Sequence, residues 1–393
     1  MVQQKTNKKN ILIINQSAEL YGSDKALLEL LENFPVNYNP IVVLHEKGPL
    51  TEKLNNLNIE IIETSVIKVK RGILNMKFLL SLPFEVFSSF RSIRNQLSGR
   101  KISLIHSNAT SVFIGAFYSF FFRIPHIWHV HEIIEEPKRI AKIYPSIINF
   151  FSKKVIFNSK ATENHFISIL PKIKKKGVLI YNGQKRQFPY LNVSETIRLR
   201  NKICSSIEYD TVLIALIGRI SRLKGQKLLL NAFNKLTKNF NNVHLLYVGS
   251  TPKGQEFYLE NLNEKITTLN LNQKITILPF TENIWPIYDS VDIVVVPSTE
   301  AESFGLVATE AMLSKKPVIA SNLGGLKEIV VDNETGFLFD YKNVFDLQRK
   351  IELLVQDNEL RKKMGEKGHI RVKEHFSSEK YVKKIEKLYD SFI

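Results

Sequence analysis

Residues 292–320 read DIVVVPSTEAESFGLVATEAMLSKKPVIA. Ile293–Pro297 is a short, continuous apolar run rich in β-branched residues, the composition of a strand buried on both faces. A polar loop holding Glu302 follows. Phe304-Gly305-Leu306 then opens a helix that runs to about Leu313, and Pro317–Ala320 returns as a second strand. Strand, helix and strand at these lengths form a βαβ unit of a parallel sheet. Ligands of such sheets sit outside the carboxyl ends of the strands. A helix beginning there offers unpaired N–H groups and the positive end of its dipole, which suit a phosphate. Glu302 stands at that end, and Glu310 lies about one turn into the helix, where a carboxylate can accept from ribose hydroxyls. A capping Glu302 and an exposed Glu310 are the plainer alternative; the glycine, the helix start and the preceding strand together favour a site.

Working outward, the same alternation fills the chain. Toward the C-terminal side of the middle, strands are expected at Thr211–Ile217, Val243–Val248 and Ile275–Leu278, with helices at Gln226–Lys238 and Phe257–Leu269. Nearer the start, Asn10–Asn15 (NILIIN), Pro40–Leu44, Glu60–Glu63, Ile102–His106, His126–His131, Val155–Asn158 and Leu179–Ile180 read as strands. Residues 184–200 are polar, hold Pro189 and show no apolar periodicity, so a linker is placed there. The expected fold is therefore α/β, with two Rossmann-like doubly wound domains facing across a cleft. The first covers residues 1–190, the second 191–375, and residues 376–393 follow as a terminal helix. At 393 residues, two domains is also what length alone suggests.

Composition narrows the classes. One cysteine, Cys204, excludes a disulfide framework and a cysteine-based metal site. No His, Cys or carboxylate spacing has the pattern of metal ligands, so no metal and no cofactor are expected. The polar start MVQQKTNKKN lacks the apolar core of a signal peptide. The apolar stretch Ala109–Phe122 is shorter than a bilayer requires. A cytoplasmic protein is expected, with an anionic membrane surface as a candidate partner. The net charge is +17, and residues 1–190 carry +14 of it, from 27 Lys and Arg against 13 Asp and Glu. Such an excess favours an anionic partner. A nucleic-acid-binding protein would need a recognition module, and none is legible. Lys68, Lys70 and Arg71 precede an aromatic and aliphatic stretch, Phe78 to Phe90, followed by Arg91 and Arg94. That is the makeup of an interfacial helix, though a helix packed on the sheet looks the same in sequence. Pro83 is expected to split it into two short helices.

Two further motifs carry chemistry. Ile217-Gly218-Arg219 ends a strand and is followed by Lys224-Gly225. A guanidinium fork and an ammonium at a strand's carboxyl end suit a diphosphate, although cations are common in exposed loops. Tyr21-Gly22-Ser23-Asp24 joins the first strand to its helix, where Gly22 permits close backbone approach to a phosphate. His129 and His131 lie at the end of HIWHVH, where one can face the cleft and at least one is structural.

As an ordered set these motifs resemble glycosyltransferase family 4, of GT-B fold, over nearly the whole chain. Gly218-Arg219…Lys224-Gly225 looks like its diphosphate loop, and Glu302 to Glu310 like its pair of glutamates with seven residues between them. DIVVVPS at 292–298, Gly324-Gly325…Glu328…Thr335-Gly336, Tyr181-Asn182-Gly183 and His131-Glu132 fit around them. The resemblance implies a retaining, metal-independent hexosyltransferase that takes sugar from a nucleotide-diphosphate donor, a UDP-sugar being favoured. The acceptor would be a glycan or a lipid-linked precursor of cell-envelope polysaccharide. Arg219 and Lys224 would neutralise the diphosphate, and Glu310 would bind ribose. Glu302 and His131 would contact the sugar. Gly218, backbone groups of Ser303, Phe304, Gly305 and Leu306, and Gly22 would hold the donor. Tyr21 departs from the family, whose first loop often reads Gly-Gly, and this bears on Gly22. It also implies that the last helix, from about Phe376, returns to the first domain. A GT-B epimerase or phosphorylase is the rival enzyme; the paired glutamates and the Gly-Arg…Lys loop argue against the first, and a missing cofactor-lysine motif against the second. A catalytically dead sugar-binding relative would not be expected to keep Arg219, Lys224, Glu302 and Glu310.

Overall fold

The computed structural model describes residues 8–66, 76–204 and 210–393, side chains excepted at 76–80. The chain divides into two compact units. Residues 1–183 and 378–393 form the first, and residues 184–377 the second.

The first unit is built on seven parallel strands: β1 (Lys9–Asn15), β2 (Tyr38–Leu44), β3 (Glu60–Glu63), β4 (Ile102–Asn108), β5 (His126–Val130), β6 (Lys154–Phe157) and β7 (Gly177–Leu179). Their order is β3-β2-β1-β4-β5-β6-β7, with β1 pairing β2 on one side and β4 on the other. Ile11–Ile14 and Ile41–Leu44 are fully buried, because helices cover both faces of the sheet. The Ser378–Asp390 helix belongs to this unit, and Tyr381, Ile385, Leu388 and Tyr389 are buried along it. Each such side chain contributes roughly 1.5–3 kcal/mol by leaving water, which accounts for an end of the chain held firmly in place.

The second unit repeats the plan with β8 (Val212–Ile217), β9 (Val243–Val248), β10 (Ile275–Leu278), β11 (Ile293–Val296), β12 (Val318–Ser321) and β13 (Gly336–Phe339). The order β10-β9-β8-β11-β12-β13 is again parallel throughout. In both sheets the order reverses between the first and fourth strands. That switch point opens a crevice at the carboxyl ends of β1 and β4, and of β8 and β11.

Three local expectations need correction. Residues 184–200 are not structureless, for a helix runs over Val193–Ile203. Asn192 caps it by accepting from the amide of Glu195, whose carboxylate accepts from the amide of Asn192. Such a reciprocal cap starts a helix without apolar periodicity. The helix Met76–Leu97 is continuous, with Pro83 inside it. Pro83 is exposed, so water can serve the carbonyl its ring leaves without a partner. The strand expected to reach His131 ends at Val130. Among the described residues, no helix is long and apolar enough to cross a membrane.

Candidate functional site

In the second unit, the switch point gathers the residues singled out there. Arg219 follows β8 through Gly218 and is exposed. Lys224 ends a short 3-10 turn, Arg222–Lys224. Its Nζ lies 2.7 Å from Oε1 of Glu302, which follows the neighbouring strand β11. Ser298, just past β11, also donates to that carboxylate. Burial pushes the Glu302 carboxyl up. The charge of Lys224, its hydrogen bond, that of Ser298 and the charge of Arg219 outweigh burial, and the carboxyl is held below its usual range. Glu302 is therefore a half-buried carboxylate kept ionised by two cations. An ammonium has three N–H donors, and the Glu302 bond uses one.

The loop beyond Glu302 is held by backbone. The amide of Gly325 donates to the carbonyl of Glu302 at 2.7 Å. Gly324 has φ +58°, and a Cβ there would lie 2.4 Å from that same carbonyl oxygen. Only glycine fits. Ser303 is half-buried, and Phe304 packs against Phe376 with ring centroids 5.6 Å apart. Gly305, at φ +121°, is the N-cap of the helix Leu306–Leu313, and a Cβ there would strike Leu326. Leu306 is the first residue of that helix. Its leading amides have no partner within the helix.

Glu310 is buried on the same helix, where an exposed residue was the plain alternative. Its Oε2 accepts from Tyr288 Oη at 2.8 Å, and its Oε1 from Gln184 Nε2 at 3.2 Å. Gln184, Tyr288 and Ser298 were not visible as site residues in sequence, because nothing in their spacing marks them.

In the first unit, Gly22 opens the helix Gly22–Glu32 after β1 and is exposed, as is Tyr21. Asp24 in its first turn is buried and accepts from Asn15, Ser17 and the amide of Tyr21. Burial raises its carboxyl to about 6 in spite of those bonds. His131 is 7% exposed, with Nε2 2.9 Å from Oδ1 of Asn108, the last residue of β4. His129 is fully buried, and its ring lies 4.0 Å from that of His131. Glu132 turns toward Thr110 and accepts from its amide at 3.0 Å. Among the described residues, no group of three or more His, Cys, Asp or Glu is placed to hold a metal ion.

The fold and these residues define a class, and sequence relationships agree with it. The model for glycosyl transferases group 1 matches residues 202–371, and the model for glycosyltransferase family 4 matches residues 25–185. The chain belongs to this family of glycosyltransferases. It is 29% identical over 311 residues to an uncharacterised glycosyltransferase of Methanocaldococcus jannaschii, covering 78% of this chain and 80% of that one. It is 32% identical over 184 residues to the capsular polysaccharide biosynthesis glycosyltransferase CapM of Staphylococcus aureus, covering 47% of each chain. The match thus spans about half the length of that relative. Among solved structures, Anabaena HepE in complex with UDP and glucose superposes with a TM-score of 0.83 at 24% identity, over 97% of this chain and 99% of that one. That likeness establishes the GT-B fold.

Proposed function

We propose that this chain is a retaining, metal-independent glycosyltransferase that moves a hexosyl group from a nucleoside-diphosphate sugar to a hydroxyl of a glycan or lipid-linked acceptor. The observation that carries this reading is the second unit's switch point, where Lys224 and Arg219 act on one half-buried carboxylate, Glu302. Cations so placed stabilise the negative charge that develops on a departing diphosphate, which is a large catalytic effect and requires no metal. Glu302 contacts the sugar hydroxyls, Glu310 takes the ribose, and amides of residues 303–306 hold the phosphate or sugar. His131 and Gly22 keep the parts the family resemblance gives them. With no assigned nucleophile, the acceptor attacks on the face the diphosphate leaves. A uridine donor is favoured because the HepE structure holds UDP and glucose. CapM's part in capsular polysaccharide biosynthesis supports a cell-envelope product.

The acceptor reading includes work at the inner face of the cell membrane. On the helix Met76–Leu97, Leu82, Val86 and Phe90 pack inward, whereas Phe84 and Phe87 are 76% and 65% exposed. Phe120, Phe121 and Phe150 are exposed nearby, linked ring to ring to Phe90. Arg94 lies over Phe122, and Arg91 is exposed on the same helix. Aromatic rings flanked by cations suit an anionic interface. Lys68, Lys70 and Arg71 lie outside the described residues, and the side chains of Phe78, Leu79 and Leu80 are likewise not described.

Thermal stabilisation by UDP, GDP and ADP, and then by their sugars, identifies the donor, and the anomer of the transfer product tests retention. No stabilisation and no hydrolysis with any of them would overturn the donor reading. Vesicle flotation tests the membrane: binding is expected with anionic lipid, to fall as salt rises, and to weaken when Phe87, Phe121, Arg91 and Arg94 are replaced. Absent binding to neutral and anionic vesicles alike would remove the membrane from the account.

A further inference from the structure

Asn108 ends β4 at the first unit's switch point and is 1% exposed. Its Nδ2 donates to Asn15 Oδ1 at 2.8 Å and to the carbonyl of Ser23 at 3.1 Å. A backbone carbonyl can only accept, so the amide's orientation is decided by its surroundings. The same holds one step along the chain: Asn15 Nδ2 donates to the carbonyl of Ser17 and to Asp24 Oδ1, each at 2.8 Å. Both amides are therefore pinned, and Asn108 must present its oxygen to His131 Nε2 at 2.9 Å. That oxygen carries no proton, so the ring nitrogen facing it must.

We propose that Asn108 is a positioning residue that fixes His131 as its Nε2–H tautomer, leaving the Nδ1 lone pair to accept a hydrogen bond from a ligand hydroxyl. A lone pair attracts a sugar hydroxyl and repels a phosphate oxygen, so His131 reads the sugar and not the diphosphate. Burial holds the ring neutral, with its pKa lowered to about 3, and this keeps the lone pair available. Through Ser23, the same amide ties this imidazole to the first turn of the Gly22–Glu32 helix. One side chain thus orients a sugar-reading ring and the loop that carries Gly22. The sugar as ligand rests on the proposed function; the tautomer does not.

The test uses the full chain labelled with ¹⁵N-histidine, with two-bond ¹H–¹⁵N correlation spectra and His131 assigned from its loss in His131→Gln. In the unsubstituted protein, Nε2 is expected to be protonated and Nδ1 bare. In Asn108→Leu, the two nitrogens should move toward exchange-averaged shifts. The KM for the donor sugar should rise about tenfold. Asn108→Ser serves if the leucine variant does not fold. A protonated Nδ1 in the unsubstituted protein, or an unchanged His131 spectrum in a folded Asn108 variant, would overturn the assignment. If no sugar nucleotide is turned over while the tautomer is as expected, the proposed function fails and the assignment of Asn108 stands.

Discussion

The two units share one topology and use opposite electrostatics. Each sheet reverses between its first and fourth strands, and each gathers polar side chains at that point. In the second unit they are charged, with Lys224 paired to Glu302 and the charge of Arg219 acting on the same carboxylate. In the first they are neutral and uncharged donors and acceptors around one carboxyl, Asn15, Asn108 and His131 leading to Asp24. The first unit nevertheless belongs to the part of the sequence with the greater surplus of cationic residues. Topology decides where a ligand can bind, and the side chains at the switch point decide what kind of ligand. A diphosphate calls for the second arrangement, and a sugar's hydroxyls for the first.

The largest expected effect breaks the charged side of the comparison. Arg219→Ala or Lys224→Ala should lower turnover by ~10²–10³-fold, the usual loss for one donor to a developing anion. Lys224→Ala also leaves the half-buried Glu302 with one cation fewer, so its carboxyl should move up. Near-normal turnover in Arg219→Ala would make the two switch points functionally alike.

The neutral side is tested by acid. Burial lowers His106 to about 3, His126 to about 4, His131 to about 3 and His129 well below its usual value. An unfolded histidine titrates near 6.5 and takes up protons that these folded ones refuse. Their stabilisation is complete above about pH 6.5 and is lost as pH falls below it, by up to about 1.4 kcal/mol per unit of pH for each group. Asp24 and Glu132, raised by burial, act in the opposite direction and offset part of this loss. In the second unit, His244, lowered to about 4, and His369, also lowered by burial, act the same way. Opening free energies from hydrogen exchange at pH 7 and pH 5.5 should fall more for β1, β4 and β5 than for β8 and β11. Equal losses would erase the contrast.

A smaller effect sharpens the contrast within the charged unit. Glu310→Gln keeps the shape that meets Tyr288 and Gln184 but removes the charge. Affinity for the nucleoside diphosphate should fall about tenfold with little change in the turnover number, the value of one charge-assisted bond. A large loss of turnover with unchanged affinity would move Glu310 from ribose to chemistry.

Much of the fold was legible because parallel strands buried on both faces are apolar runs. DIVVV at 292–296 and NILII at 10–14 could hardly be anything else. The helix Val193–Ile203 was missed because its apolar side chains are few, and its start rests on a cap between Asn192 and Glu195. β13, Gly336–Phe339, was missed because four residues give period-based reading too little to work on. At the site, the charged residues and the glycines were legible because they form ordered motifs. Gln184, Tyr288, Asn108 and Asp24 were not, since their value lies in contacts between residues far apart in sequence. The pairing of Lys224 with Glu302 spans 78 positions and needed the neighbouring strands β8 and β11 to bring it together.

On the proposed reading, the second unit's switch point binds a nucleoside diphosphate by its own cations. Calorimetric titration with UDP, GDP and ADP in the presence of EDTA tests it directly, on the unsubstituted chain and on Arg219→Ala. One of the three nucleotides should bind without metal, and the substitution should weaken that binding by at least tenfold. Binding that appears only when Mg²⁺ or Mn²⁺ is restored, or that Arg219→Ala leaves unchanged, would show that these cations do not hold the diphosphate.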